Sequence, residues 1–231
     1  MNKHLIVFGI AVLLLIVGLS GCQEDTKQDV SLVEITDLDI DSMYLSPGEY
    51  KTVTVTVENC KRCYILKNLL LNQGCNWYQM NQIDEHHYNA SNIGALQNDI
   101  VWCVITAIGY SGEIEEEEFL VEVGQIERSN ISSLTISNIS HSKEDDSARV
   151  TADVTSNVTI SNVSVATFVV DSDAVSGDCS SIQPMFNITE KTFQPPSFAM
   201  GNGPGKIYFK IVAQDESGNI AISEIIIVEF L

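Results

Sequence analysis

The chain has 231 residues, with 31 acidic and 12 basic side chains and a formal charge of −19. That balance excludes the Lys/Arg footprint a nucleic-acid binder needs, and 45% hydrophobic residues against 19% charged excludes a disordered chain. The length allows one large or two small domains, each able to bury its own core.

Residues 1–21 read as a targeting segment. Lys3 and His4 make a short basic start, and Leu5 to Leu19 are apolar apart from Gly9 and Gly18. That run fits a secretory leader and is short for a membrane span, which needs ~20 residues. Leu19-Ser20-Gly21-Cys22 follows. This segment resembles the lipobox of prokaryotic lipoproteins: an apolar residue, two small ones and then a Cys. The resemblance implies cleavage before Cys22, lipid on its thiol, a membrane partner and an extracytoplasmic, cell-surface location. The rival reading is an uncleaved membrane helix with an incidental Cys, which also places the rest outside the cytoplasm. Residues 22–29 are polar and read as a tether.

After Cys22 no segment sustains a helical apolar period. Alternation with period two recurs instead, the mark of strands with one buried face. Lys51 to Val57 alternates Val with Thr and Lys after a Ser46-Pro47-Gly48-Glu49 turn signal. Val101 to Ile108 and Ile114 to Val123 form a second pair around Gly109-Tyr110-Ser111-Gly112. The plan then repeats. Val53, Thr54 and Val57 recur as Val150, Thr151 and Val154, and Ile105, Ala107, Ser111, Gly112, Ile114 and Glu118 as Ile211, Ala213, Ser217, Gly218, Ile220 and Glu224. The expected fold is all-β, two tandem immunoglobulin-like sandwiches over 30–124 and 130–231. Ile211 to Asn219 resembles the closing hairpin of prokaryotic extracellular Ig-like modules, which supports the fold and says little about activity. The short join at 124–129 predicts modules placed end to end, a spacer-like geometry.

Cys60, Cys63, Cys75 and Cys103 fall in the first module, and in an exported chain the default is a disulfide framework with three possible pairings. The favoured ones are Cys60–Cys63 or Cys60–Cys75, with Cys103 bonded across the sandwich; Cys179 is left over. Free thiols are one rival; Cys60-x2-Cys63 also has zinc-ligand spacing, so a metal site with Cys75 and His86 or His87 is a second, and a redox dithiol activated by Lys61 and Arg62 a third. Six Asn-x-Ser/Thr sequons, at Asn89, Asn130, Asn138, Asn157, Asn162 and Asn187, make a glycan-covered surface one reading and a polar strand face the other.

Glu115 to Glu118 reads as a solvated edge that repels strand addition, as do Asp37, Asp39 and Asp41 on one solvent face, and Asp215 to Asn219 as a turn with a weak calcium-loop alternative. No phosphate loop, Gly-x-Ser-x-Gly elbow or His-Glu-x-x-His occurs, so neither an enzyme nor a cofactor is expected. Candidate binding loops are Asn59 to Tyr64, Asn72 to Asn92 and Ser172 to Gly203, with Trp77, Tyr78 and Tyr88 as anchors or as packing beneath a stapled loop. The expectation is a lipid-anchored, non-catalytic binding or spacer module with a protein or glycan partner. The alternatives are a metal- or thiol-active lipoprotein and an accessory subunit of a membrane complex.

Overall fold

The computed structural model describes residues 32–40, 44–72, 74–126, 133–171, 178–199 and 205–230; the leader, Cys22, the tether and Asn130 lie outside them. Alternation becomes strand throughout. The first module contains β1 (Glu34–Asp39), β2 (Tyr44–Leu45), β3 (Tyr50–Glu58), β4 (Cys60–Leu69), β5 (Cys75–Gln79), β6 (Asn81–Gln82), β7 (His87–Gly94), β8 (Asp99–Gly109) and β9 (Ile114–Val123). The second contains β10 (Thr135–Glu144), β11 (Ser147–Thr155), β12 (Ile160–Asp171), β13 (Asp178–Pro184), β14 (Phe186–Asn187), β15 (Thr192–Gln194), β16 (Phe198–Ala199), β17 (Gly205–Asp215), β18 (Ile220–Ile222) and β19 (Ile226–Phe230).

Strand order identifies the fold. The first module pairs a sheet β1-β3-β7-β6 with a sheet β2-β9-β8-β4-β5. Naming strands by their order in the immunoglobulin fold, these are A-B-E-D and A′-G-F-C-C′. The second module repeats it, as β10-β11-β15-β14 and β13-β12-β17-β18, with β19 extending the pairing of β17. Both modules are therefore immunoglobulin-like sandwiches. The duplication is carried into the strand bounds: β3 and β11 differ by 97 at both ends (50 to 147, 58 to 155), and β8 and β17 by 106 (99 to 205, 109 to 215).

Period two decides the first core. In β3 the side chains of Val53, Val55 and Val57 are buried while the intervening Thr face outward. They meet Cys63, Ile65, Val101, Cys103, Ile105, Phe119 and Val121 from the other sheet. The second core is built the same way from Val150, Ala152, Val154, Ile207, Phe209 and Ile211.

The end-to-end expectation is overturned. Residues 32–231 form one compact unit, because a third cluster lies between the sandwiches. Leu66, Leu70, Ile100, Trp102 and Val104 of the first pack on Ala166, Phe168, Val170, Tyr208 and Val212 of the second. β8 and β17 are buried on both faces: alternate residues fill each sandwich's own core, and the rest fill the cluster between them. The two modules use equivalent surfaces, since Trp102 and Tyr208 stand 106 positions apart in matching strands.

Candidate functional site

The acidic run is part of this interface, not a solvated edge. β9 lies between β2 and β8, and its alternation sends Glu116 and Glu118 one way while Glu115 and Glu117 stay exposed. Lys210 Nζ, almost wholly buried, donates to Glu118 Oε2 at 2.6 Å and sits 5.4 Å from the Trp102 ring centroid. The same carboxylate oxygen accepts from Trp102 Nε1 at 2.9 Å. Glu116 accepts from Lys206 Nζ at 3.3 Å and from the Tyr208 hydroxyl. Burial first, and then the neighbouring Glu116 charge, push the Tyr208 hydroxyl far above the ordinary phenol range. Two charged pairs and one hydrogen bond from an aromatic side chain, Tyr208, thus cross between the modules, while Trp102 braces Glu118 from within the first.

The cysteines separate by face. Cys60, Cys63 and Cys103 are free and buried, so Cys60–Cys63, Cys60–Cys75 and a cross-sandwich bond to Cys103 are not formed. Cys103 has no thiol opposite it because the inward positions of β3 are all Val. Cys75 is disulfide-bonded, to none of these three; it packs in the inter-module cluster, away from the core that holds Cys60 and Cys63. The side chain of Cys179 lies outside the described residues. A register shift between Cys60 and Arg62 turns both Cys60 and Cys63 into the first core. Hydrogen bonding from the Cys63 thiol lowers Cys60 to about 7, while that contact and burial drive Cys63 well above the thiol range. Burial also raises Cys103 to about 12.

The metal grouping is not assembled. His86 Nδ1 pairs with Glu58 Oε2 at 3.0 Å and His87 Nδ1 with Asp84 Oδ1 at 2.7 Å, on an exposed bend. Among the described residues no three His, Cys, Asp or Glu side chains are placed to hold a metal ion. The Asp215 turn is spent on itself: its Oδ1 accepts from the Ser217 and Asn219 amides, each at 3.0 Å, and Asn219 Nδ2 donates to both oxygens. That carboxylate closes the hairpin.

The expected binding loops are largely strand. Asn59 to Tyr64 is one turn residue, Asn59 with φ 56°, followed by β4. Asn72 to Asn92 contains β5, β6 and most of β7, and Ser172 to Gly203 contains β13 to β16. Tyr88 is buried, donating its hydroxyl to Cys60 O at 3.2 Å. Trp77 is sandwiched at the interface, stacked on Tyr64 at 5.0 Å and tilted by 44° against Phe168 at 4.8 Å. Both serve packing. Tyr78 is different: it lines a cleft of about 420 Å³ with Lys67, Asn76, Gln79, Asn81, Ser91 and Asn92. Its hydroxyl donates to Ser91 O at 2.9 Å. The cleft opens between β5 and β6, the edge strands of the two sheets of the first sandwich. Asn138, Asn157, Asn162 and Asn187 are exposed and Asn89 is half-buried; Asn138 Nδ2 already donates to Asp153 Oδ2 at 2.9 Å.

No family model matches the chain, and no curated protein matches it either. Among solved structures, one similar chain comes from work on host cell surface retention of a bacterial ice-binding adhesin: 12% identity, TM-score 0.29, covering 86% of this chain and 63% of that one. A tetra-tandem repeat from the extending region of a large adhesion protein shares 11% identity at TM-score 0.32, covering 87% and 49%. The FN1–FN3 domains of chicken CNTN1 share 8% at TM-score 0.28, covering 86% and 66%. The chain thus spans less than two thirds of each.

Proposed function

We propose that the protein is a lipid-anchored, extracytoplasmic binding module without catalytic activity. In this reading residues 1–21 are the leader, Cys22 carries the lipid, 22–29 are the tether, and modules over 30–124 and 130–231 present a surface to a protein or glycan partner. The observation that carries it is the interface around Trp102 and Tyr208. It joins two sandwiches in one compact unit, and preorganised scaffolds hold binding surfaces in place at little entropic cost. Leu19-Ser20-Gly21-Cys22 supports the anchor. Stable anchoring takes two or more acyl chains. Intact mass of the membrane-extracted protein tests this: it is expected to begin at a lipid-bearing Cys22, and Cys22→Ser is expected to release the protein from the membrane. An unlipidated cytosolic chain with its leader intact would refute it.

A thiol-redox lipoprotein is the second reading, favoured by the contact between Cys60 and Cys63 and the lowered Cys60 thiol. Equilibration with glutathione redox buffers tests it; reversible closure of a Cys60–Cys63 disulfide near physiological potentials is the expected sign.

A further inference from the structure

We infer that the cleft between β5, β6 and β7 is a binding site for an uncharged saccharide; this rests on the surface-binding reading above and names its ligand class. The lining is unusual for this chain. With 31 acidic residues in the sequence, no carboxylate among the described residues borders the cleft. Lys67 is the one cation among the described residues there, and it is anchored: its Nζ donates to Asn92 O at 2.9 Å and lies 5.3 Å from the Tyr50 ring centroid. A cationic ligand would therefore find no carboxylate in the lining, and an anionic one a single ammonium anchored on Asn92 O and flanked by neutral amides.

What the cleft offers instead is amides. Asn76, Gln79, Asn81 and Asn92 line it, all exposed, and none of their side chains hydrogen-bonds elsewhere among the described residues. Each side-chain amide supplies both a donor and an acceptor. A sugar hydroxyl needs that same pair, and four uncommitted amides around one recess match several hydroxyls at once. Tyr78 adds a half-buried aromatic wall whose hydroxyl is pinned on Ser91 O, so the ring is held without a ligand present. The volume of about 420 Å³ lies within the ~300–1,000 Å³ of small-molecule sites. An extended peptide is the poorer fit. It would need a long free strand edge, whereas β6 is two residues long and β5 five.

The test is titration of the full-length, detergent-solubilised protein with a panel of uncharged hexose oligosaccharides, followed by amide chemical shifts and calorimetry. Saturable binding by at least one member is expected, with shifts confined to the cleft. The exposed substitutions Asn76→Ala and Gln79→Ala together should weaken it at least tenfold with thermal unfolding unchanged, while Asn162→Ala, on the second sandwich, leaves it intact. No saturation by any member, or binding indifferent to the double variant, would overturn the site. Saturable binding of an extended peptide in place of sugars would overturn the ligand class. If the double variant still binds cell surfaces like the natural protein, the cleft inference fails and the surface-binding reading stands. If the natural protein binds no surface at all, both fail.

Discussion

Two residue positions concentrate the energetics. Lys210 is buried against Glu118 and Trp102, and breaking a buried pair strands the remaining charge. Lys210→Ala is expected to cost about 2–4 kcal/mol in urea unfolding, Glu118 being partly exposed. Lys210→Met, which fills the same space, is expected to lose less when combined with Glu118→Gln. The second position is the thiol pair. Cys60 is lowered to about 7 chiefly by its neighbour Cys63, so Cys63→Ala is expected to move its midpoint upward, read from thiolate absorbance against pH. The sign for stability follows. A folded value below the unfolded one adds stability as pH rises from about 7 toward 9 and loses it as pH falls through 7. Cys63 is shifted upward, so stability declines again above the ordinary thiol range. An unchanged midpoint in Cys63→Ala would show that the thiol contact is not what holds Cys60 down.

Among elements, β3 and β11 were legible because one face is wet: their Val and Thr alternate, and the structure buries the Val. The hairpin of β8 and β9 was equally plain, with Ile108 opposite Ile114 across the turn. What a one-faced reading missed is the second parity of β8 and β17. Ile100, Trp102 and Val104, like Tyr208 and Val212, are apolar at positions a solvent-facing strand would fill with polar groups. A continuous apolar run is the mark of a strand covered on both sides. The acidic run misled for the same reason. Its even members meet counter-charges because another module's Lys206 and Lys210 arrive opposite them, with Tyr208 beside them, and nothing local in the sequence announces that. The cleft was half legible. Tyr78 stood out among aromatic residues, but its amides resemble loop composition until β5 and β6 bring them to facing edges. Trp102→Ala removes a fully buried ring and a donor to Glu118, and is expected to cost about 3–5 kcal/mol in chemical denaturation. A loss below 1 kcal/mol would mean that the interface contributes little.

For the molecule as a whole, the duplication and the interface belong together. Matching faces of two copies meet, as in an isologous dimer in which each partner uses the same patch, here joined in one chain. The packed cluster and the Glu–Lys pairs couple the unfolding of each sandwich to the other. A spacer built of independent modules would bend at the join; a fused pair holds its edge clefts and end turns in fixed relation. Scanning calorimetry of the full-length protein tests this most directly. The account predicts one transition over residues 32–231 whose calorimetric and van't Hoff enthalpies agree, about 140 kcal/mol near 60 °C for ~200 residues. Two separate transitions, each with roughly half that van't Hoff enthalpy and neither moved by Trp102→Ala, would contradict it.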